Sequence, residues 1–277
     1  MLAPTLLLLA VFFFYPLGFA VYRSLFRWDL LTPPEYVGLD NYRALIESGE
    51  LISAFTTTLA FSLVVVVGAM ALGLGLAMLL NRRGAFAGFI RSAIFSAYVV
   101  SWVSVALLWM WVLDSQGVLS AWVSALGLTP LDWLGDPDVA LYSLAAVTIW
   151  KIAGYAMVLY LAGLQDVPPV LYEAAALDGA GPIARFRHIT WPLLRPTSAF
   201  VGTTSLIASF QVFDVVRVMT QGGPVRSTTV FVYAIYEQIF MNLRVGRASA
   251  LVVVFFLMLL GLTALQLWAW RAKRGAS

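Results

Sequence analysis

The chain has 277 residues, of which 61% are hydrophobic and 11% charged. Soluble domains carry about a quarter charged residues, so this composition leaves too few charges for a water-facing surface and enough apolar ones for a lipid-facing surface. A net charge of +3 excludes the dense basic face that nucleic acid needs, and the lack of cysteine excludes a disulfide framework or thiolate chemistry.

A helix needs about 20 apolar residues to cross a bilayer core. Six stretches meet that length, at about Leu2–Tyr22, Ala54–Leu80, Phe89–Leu113, Val139–Gly163, Thr197–Val216 and Ala248–Trp270. None shows the alternation of a barrel strand. The expected fold is all-α, a polytopic helical bundle, with residues 1–277 forming one transmembrane domain. No internal repeat or low-complexity tract interrupts it.

The first stretch starts without a basic region and is followed by no small-x-small site, so it reads as a span rather than a cleavable signal. Residues 23–53 contain Pro33-Pro34 and five acidic residues, as a solvated outer loop would. In the second span Ala69, Gly73 and Ala77 recur every fourth residue, a stripe for close helix packing. Trp109 and Trp111 in the third fit an interfacial aromatic belt. Lys151 makes the fourth span amphipathic, and Asp214 does so for the fifth. Gly222-Gly223-Pro224 is a turn signal, and the following Phe231–Phe240 run reads as a short helix at the outer interface.

Lysine and arginine near the span ends set orientation. Arg82, Arg83 and Arg91, then Arg185, Arg187 and Arg195, then Arg271, Lys273 and Arg274 place three connecting regions in the cytoplasm. Residues 114–138 hold four Asp and no Lys or Arg, which places them outside. Both termini are then cytoplasmic. The first span dissents, because Arg23 and Arg27 follow it and nothing basic precedes it.

Several chemistries are missing. The lysines are Lys151 and Lys273, neither after glycine, so no phosphate-cradling P-loop exists. The single His188 rules out histidine metal clusters and reads as a surface residue, and no Gly-x-Ser-x-Gly elbow occurs. No catalytic residue and no metal ligand set is expected.

The connection between spans four and five, residues 164–195, is the most informative segment. Pro168-Pro169 is expected to end the fourth helix, and Tyr172–Leu177 is a run of strong helix formers. Gly179 and Gly181 permit a sharp change of direction. Pro182 suits the first turn of a second helix, expected to reach about His188 and to stop before Pro192. Two helices this short need a partner to pack on. Ala174, Ala175 and Leu177 offer a small apolar face suited to a groove.

This segment resembles the coupling loop of ABC importer permeases, whose pattern is Glu-Ala-Ala, three residues, Gly, nine residues, Ile, one residue, Leu-Pro. Here it reads Glu173-Ala174-Ala175, Gly179, Ile189 and Trp191-Pro192, with tryptophan in place of leucine. The flanks resemble carbohydrate and glycerol-3-phosphate permeases. They are Trp150-Lys151 with Gly154, Ala162-Gly163-Leu164-Gln165, Leu171-Tyr172-Glu173, Asp178-Gly179-Ala180, Phe213-Asp214 and Thr220-Gln221-Gly222-Gly223-Pro224. Gly38-Leu39-Asp40-Asn41-Tyr42 resembles the first of the two permeases in that group.

The resemblance implies a type I importer permease fold in the cell (inner) membrane of a bacterium or archaeon. It implies a second permease subunit, two cytoplasmic ATPases that hold the ATP and Mg, and an extracellular or periplasmic binding protein, with no cofactor on this chain. It assigns ATPase coupling to Glu173, Ala174, Ala175, Asp178, Gly179, Pro182, Ile189 and Pro192. The cargo would be a sugar, a polyol or a glycerol phosphate. A non-carbohydrate ABC importer is the first alternative. An ATPase-independent secondary transporter is the second, and it would leave the coupling loop unexplained.

Candidates for the substrate pathway are Tyr98, Trp102, Thr148, Lys151, Tyr155, Ser209, Phe213 and Asp214, aromatic or polar groups at depths where a central cavity forms. Packing or an aromatic belt is the competing reading for each. Lys151 either faces a polar substrate or serves helix packing.

Overall fold

The computed structural model describes residues 3–82 and 84–274, with side chains placed through residue 264. Arg83 and the side chains of Arg271, Lys273 and Arg274, part of the orientation signal, lie outside the described residues.

In chain order the elements begin with α1 (Ala3–Arg23), a two-residue hairpin of β1 (Phe26–Arg27) and β2 (Glu35–Tyr36), and α2 (Asp40–Glu47). There follow α3 (Glu50–Leu80), α4 (Ala85–Val99), α5 (Trp102–Val112), α6 (Val118–Ala125) and α7 (Ala140–Gln165). Then come α8 (Pro169–Leu177), α9 (Pro182–Arg185), α10 (Arg195–Phe210), α11 (Asp214–Met219), α12 (Phe231–Tyr236) and α13 (Val245–Arg274). The expected all-helical class holds apart from that hairpin.

Four helices, α1, α3, α7 and residues 245–264 of α13, are long and apolar enough to cross a bilayer. Two of the expected spans are not continuous helices. The third breaks at Val100-Ser101, where α4 and α5 meet at 102°. Val99 and Val100 are β-branched, weak helix formers, and an apolar count does not register that weakness. The fifth breaks at Gln211–Phe213, leaving the 16-residue α10 and the short α11. Hydroxyls of Thr203, Thr204 and Ser209 donate to carbonyls of α10 itself, a habit that bends helices.

The chain divides into two compact units. One comprises residues 1–56 and 229–277. Leu45, Ala54, Phe231, Ala234, Ala250 and Leu251 are its buried core, with Phe231 stacked on Phe255 at 5.4 Å. The expected short helix at Phe231 is therefore a core element. The Gly-Leu-Asp-Asn-Tyr segment has a structural task here. The Asn41 amide donates to the carbonyls of Ser24 and Phe26 at 2.8 and 2.9 Å, and Tyr42 donates to the Ser24 hydroxyl. Gly246 abuts the Phe26 carbonyl, where a Cβ would sit at 1.9 Å. In the β1–β2 connection, hydrogen bonds from the amide and hydroxyl of Thr32 and the amide of Leu31 hold the Asp29 carboxyl below its usual range.

The other unit, residues 57–228, is built on α7. Ala77, Ala156, Met157, Tyr160, Leu161, Leu164, Leu194 and Val201 form its core. Helices without a water-driven force between them associate through close packing of small residues, and three contacts show this. A Cβ on Gly73 would lie 2.6 Å from that of Ala156, one on Gly163 2.5 Å from the Thr197 hydroxyl, and one on Gly154 2.6 Å from the Ile94 carbonyl. The stripe read on the second span is a packing stripe, with Ala69 and Ala77 fully buried.

Two prolines sit inside helices by the same device. A five-residue π turn, Ala10–Phe14, precedes Tyr15-Pro16, and another, Phe186–Thr190, precedes Trp191-Pro192. Proline has no N–H and crowds the carbonyl four residues back. Widening the turn relieves that clash, and the amides of Tyr15 and Trp191 bond to Ala10 and Phe186, five residues back.

Gly154→Val is expected to lower stability by about 2–3 kcal/mol or more, since the side chain meets backbone that cannot rotate away. Gly261→Ala, which meets nothing within 4 Å, should be neutral or mildly stabilising. Thermal unfolding in detergent, followed by tryptophan fluorescence, distinguishes the two.

Candidate functional site

The segment from α8 to α10 is an elbow. α8 opens with Pro169 at its first turn, so Pro168-Pro169 starts this helix, while α7 ends at Gln165. α8 closes in a Schellman motif. The Ala180 amide donates to the Ala175 carbonyl at 2.8 Å, the Gly179 amide to Ala176 at 3.1 Å, and Gly179 has φ +75°. That left-handed conformation costs a side-chain-bearing residue about 1–2 kcal/mol, which explains glycine there. Asp178 is the last residue before the turn, and Pro182 occupies the first position of α9.

The second arm does not stop before Pro192 as the sequence suggested. From Pro182 it runs through the π turn and Trp191–Leu193, and after a turn at Leu194 it enters α10. Two contacts fix the angle between the arms. The Tyr172 and Thr190 hydroxyls bond at 2.8 Å, and Arg185 Nε donates to the Ala180 carbonyl at 2.7 Å. Leu194 is fully buried in the α7 core and anchors the base, and Ile189 is half-buried. The tip is apolar and bare, with Leu177 91% and Ile183 83% exposed. Glu173 and Ala174 are exposed beside it, and Ala175 is half-buried. His188 is exposed, its Nδ1 2.9 Å from the Ala184 carbonyl.

The second feature is the α4–α5 break. Lys151 is 2% exposed. Its ammonium donates to the carbonyls of Ala97 at 3.2 Å and Tyr98 at 3.1 Å, and to that of Val100. It also lies 4.7 Å from the centre of the Trp102 ring. These carbonyls belong to the end of α4, the negative pole of that helix. Each polar backbone group left bare in hydrocarbon would cost several kcal/mol, and here one side chain answers three. Gly154, one turn along α7, lets the backbone at Ile94 and Phe95 come close enough for this contact. Tyr155 stacks on Tyr98 at 4.9 Å and 15°.

Of the pathway candidates, Tyr98, Trp102, Lys151 and Tyr155 thus form one cluster. Thr148 and Ser209 are buried, and their hydroxyls bond back to Leu144 and Leu206 in their own helices at 2.9 and 2.8 Å. Phe213 and Asp214 are half-buried at the start of α11, which packs on α5. Among the described residues no ion pair joins Asp214 to Lys151. The Thr-Gln-Gly-Gly-Pro segment closes a turn through a Thr220–Thr228 hydroxyl pair at 2.8 Å and a bond from the Thr228 hydroxyl to the Gly223 carbonyl. Sequence reasoning missed the roles of Tyr172, Thr190 and Arg185. The three-residue spacing of Lys151 and Gly154 was a usable signal that both face one neighbour.

Multiple apolar helices, an interrupted span and a bare elbow clamped between two core-packed helices together define a multi-pass membrane transport subunit. Residues 69–274 match the family described as binding-protein-dependent transport system inner membrane component, and the chain belongs to that family. Its members are permease subunits of ABC importers rather than enzymes, with ATP hydrolysed on a separate subunit. The chain is 34% identical to the sulfoquinovosyl glycerol transport system permease protein SmoG of Agrobacterium fabrum, covering 99% of this chain and 90% of that one. It is 33% identical to the sn-glycerol-3-phosphate transport system permease protein UgpA of Pectobacterium atrosepticum, covering 95% and 90%. Among solved structures, a bacterial alginate ABC transporter in complex with alginate pentasaccharide-bound periplasmic protein matches with a TM-score of 0.81 at 25% identity, over 96% of this chain and 91% of that one.

Gly179→Val is expected to cost about 1–2 kcal/mol, through backbone strain alone, since nothing lies within 4 Å of that position. Gly179→Asn should cost less, because asparagine tolerates the left-handed region. Limited proteolysis at the elbow, comparing cleavage rates of the two variants, checks the order.

Proposed function

We propose that this chain is one half of the translocation pathway of a carbohydrate-class ABC importer in a bacterial or archaeal cell membrane, and that the elbow is its ATPase-coupling element. The cargo is a sugar, a polyol or a glycerol phosphate, in keeping with the solutes for which SmoG and UgpA are named. The chain works as a single domain of six crossings. The bent α4–α5 pair makes the third, and α10 with α11 the fifth. Both termini and residues 164–195 face the cytoplasm, in keeping with Arg82, Arg91, Arg185, Arg187 and Arg195.

The observation that carries the coupling reading is the bare apolar tip on a rigid two-helix turn. An exposed Leu177 and Ile183 beside Glu173 are costly in water and suit a groove. Glu173 accepts a charge-assisted hydrogen bond from a basic group of the ATPase, while Ala174 and Ala175 let the surfaces close. Asp178, Gly179 and Pro182 set the angle. Ile189 and Pro192 lie on the arm that carries motion into α10. The partners are a second permease, two ATPases holding ATP and Mg, and an external binding protein, the kind of protein present in the alginate transporter complex. The aromatic cluster of Tyr98, Trp102 and Tyr155 lines the path, where ring faces pack on sugar rings, with Thr148, Lys151, Ser209, Phe213 and Asp214 around it.

In proteoliposomes holding the assembled importer, Glu173→Lys and Gly179→Pro are each expected to cut binding-protein-stimulated ATP hydrolysis by roughly tenfold or more, the worth of about 1.4 kcal/mol. Both variants should still insert in the membrane. Wild-type stimulation in either variant would refute the coupling role.

A further inference from the structure

We propose that Lys151 is a positioning residue for transport, a fixed cation that holds the α4–α5 bend and with it the Tyr98–Tyr155 pair, rather than a reader of substrate charge. This rests on the permease reading above. The donors of the ammonium are spoken for. It is 2% exposed, it faces the carbonyls of Ala97, Tyr98 and Val100, and the Trp102 ring covers another side. An anion approaching it would have to displace a helix end.

The geometry gives the lysine a definite task. Val100 and Ser101 have extended backbone, with ψ of 145° and 141°, so the amides of the next turn do not collect the final carbonyls of α4. A neutral side chain at 151 leaves those acceptors bare, and the chain answers by moving α5 or by admitting water. Tyr98 carries one of the three carbonyls and also stacks on Tyr155, so any slack at the bend reaches the aromatic pair directly. Gly154 keeps α4 near enough for the lysine to reach. Lys151, Gly154 and Tyr155 therefore act as one face of α7, dedicated to the end of α4.

The chain has no cysteine, so spin labels can be placed at will. One pair, Phe86→Cys with Leu108→Cys, reports the bend. A second, Val158→Cys with Ile207→Cys, reports the α7–α10 packing. All four positions are exposed. In the assembled importer in lipid nanodiscs, Lys151→Met should shift or broaden the first distance by about 5 Å, one helical turn, and leave the second unchanged. Lys151→Arg, which keeps a cation, should recover the first distance at least in part. The maximal rate of ATP hydrolysis stimulated by the importer's binding protein should fall by roughly tenfold in Lys151→Met. The binding-protein concentration for half-maximal stimulation should stay within about twofold. An unchanged first distance overturns the proposal, as does a change in both distances together, which marks a global packing role. A full stimulated rate despite a shifted bend also overturns it. Should the wild-type complex show no stimulation at all, the proposed coupling fails, and the spin distances still decide what Lys151 holds.

Discussion

A helix that ends inside an apolar protein exposes carbonyls that nothing nearby can satisfy, and the arrangement of residues 57–228 follows from how those of α4 are met. Water could serve only where a cavity admits it, and the next turn of backbone points elsewhere. The lysine ammonium is compact and has three donors, which matches a cluster of three oxygens. Its charge also sits at the negative pole of a helix. Desolvating an ammonium is expensive, and this geometry offsets the cost with three carbonyl acceptors and an aromatic face. The constraint then propagates. The lysine must come from a helix that approaches closely, which requires Gly154, and the bend must lie where Trp102 can cover the charge.

In secondary transporters the carbonyl ends of broken helices coordinate a mobile Na⁺ or proton, and the ion's movement drives the cycle. Here a cation occupies the equivalent position as part of the chain. No separate ion is needed to answer those carbonyls. On the proposed reading, drive enters at the elbow. Its first arm ends in a glycine turn that fixes direction, a Tyr172–Thr190 hydroxyl pair ties it to the second arm, and that arm is nearly continuous with α10. A push on Leu177 and Ile183, as the proposed coupling requires, would be carried along a helix rather than lost in a loop. The interrupted span and the elbow are complementary, the one fixed internally and the other bare to a partner.

The sequence disclosed what depends on counting and spacing. Apolar length located four of the six expected stretches as continuous membrane-length helices, the four-residue stripe of Ala69, Gly73 and Ala77 was a packing stripe, and the elbow's first helix and glycine hinge lie where composition put them. It did not disclose what depends on a distant partner. Val99-Val100-Ser101 reads as an ordinary apolar run, and whether it stays helical turns on a lysine fifty residues later in the chain. Pro192 reads as a stop because proline forbids the i→i+4 bond. The structure evades the rule with a π turn, whose i→i+5 bonds no propensity scale anticipates. The same evasion at Pro16 shows a local rule at work: five residues of widened turn, one more residue, then proline. Lys151 stood out as a lone intramembrane charge, which does not say whether it faces cargo or backbone. The spacing to Gly154 was the better clue, since a glycine one turn away on the same face implies a close neighbour.

The placement of the aromatic pair follows from these constraints. Tyr98 is at the end of α4 and Tyr155 is one turn beyond Lys151 on α7, so on the proposal above the stack depends on the cation's hold on those carbonyls. Aromatic faces are indifferent to the sign of a substrate's charge and responsive to its ring. On the proposed reading, a path lined by Tyr98, Trp102 and Tyr155, with Lys151 already held by backbone carbonyls, selects weakly. The solutes for which two relatives and a fold neighbour are named, sulfoquinovosyl glycerol, sn-glycerol 3-phosphate and alginate, differ greatly in size. A tolerant path would leave discrimination to the proposed external binding protein, before the cargo enters. The permease would then only open and close on command, a task that suits a rigid bend and a bare elbow.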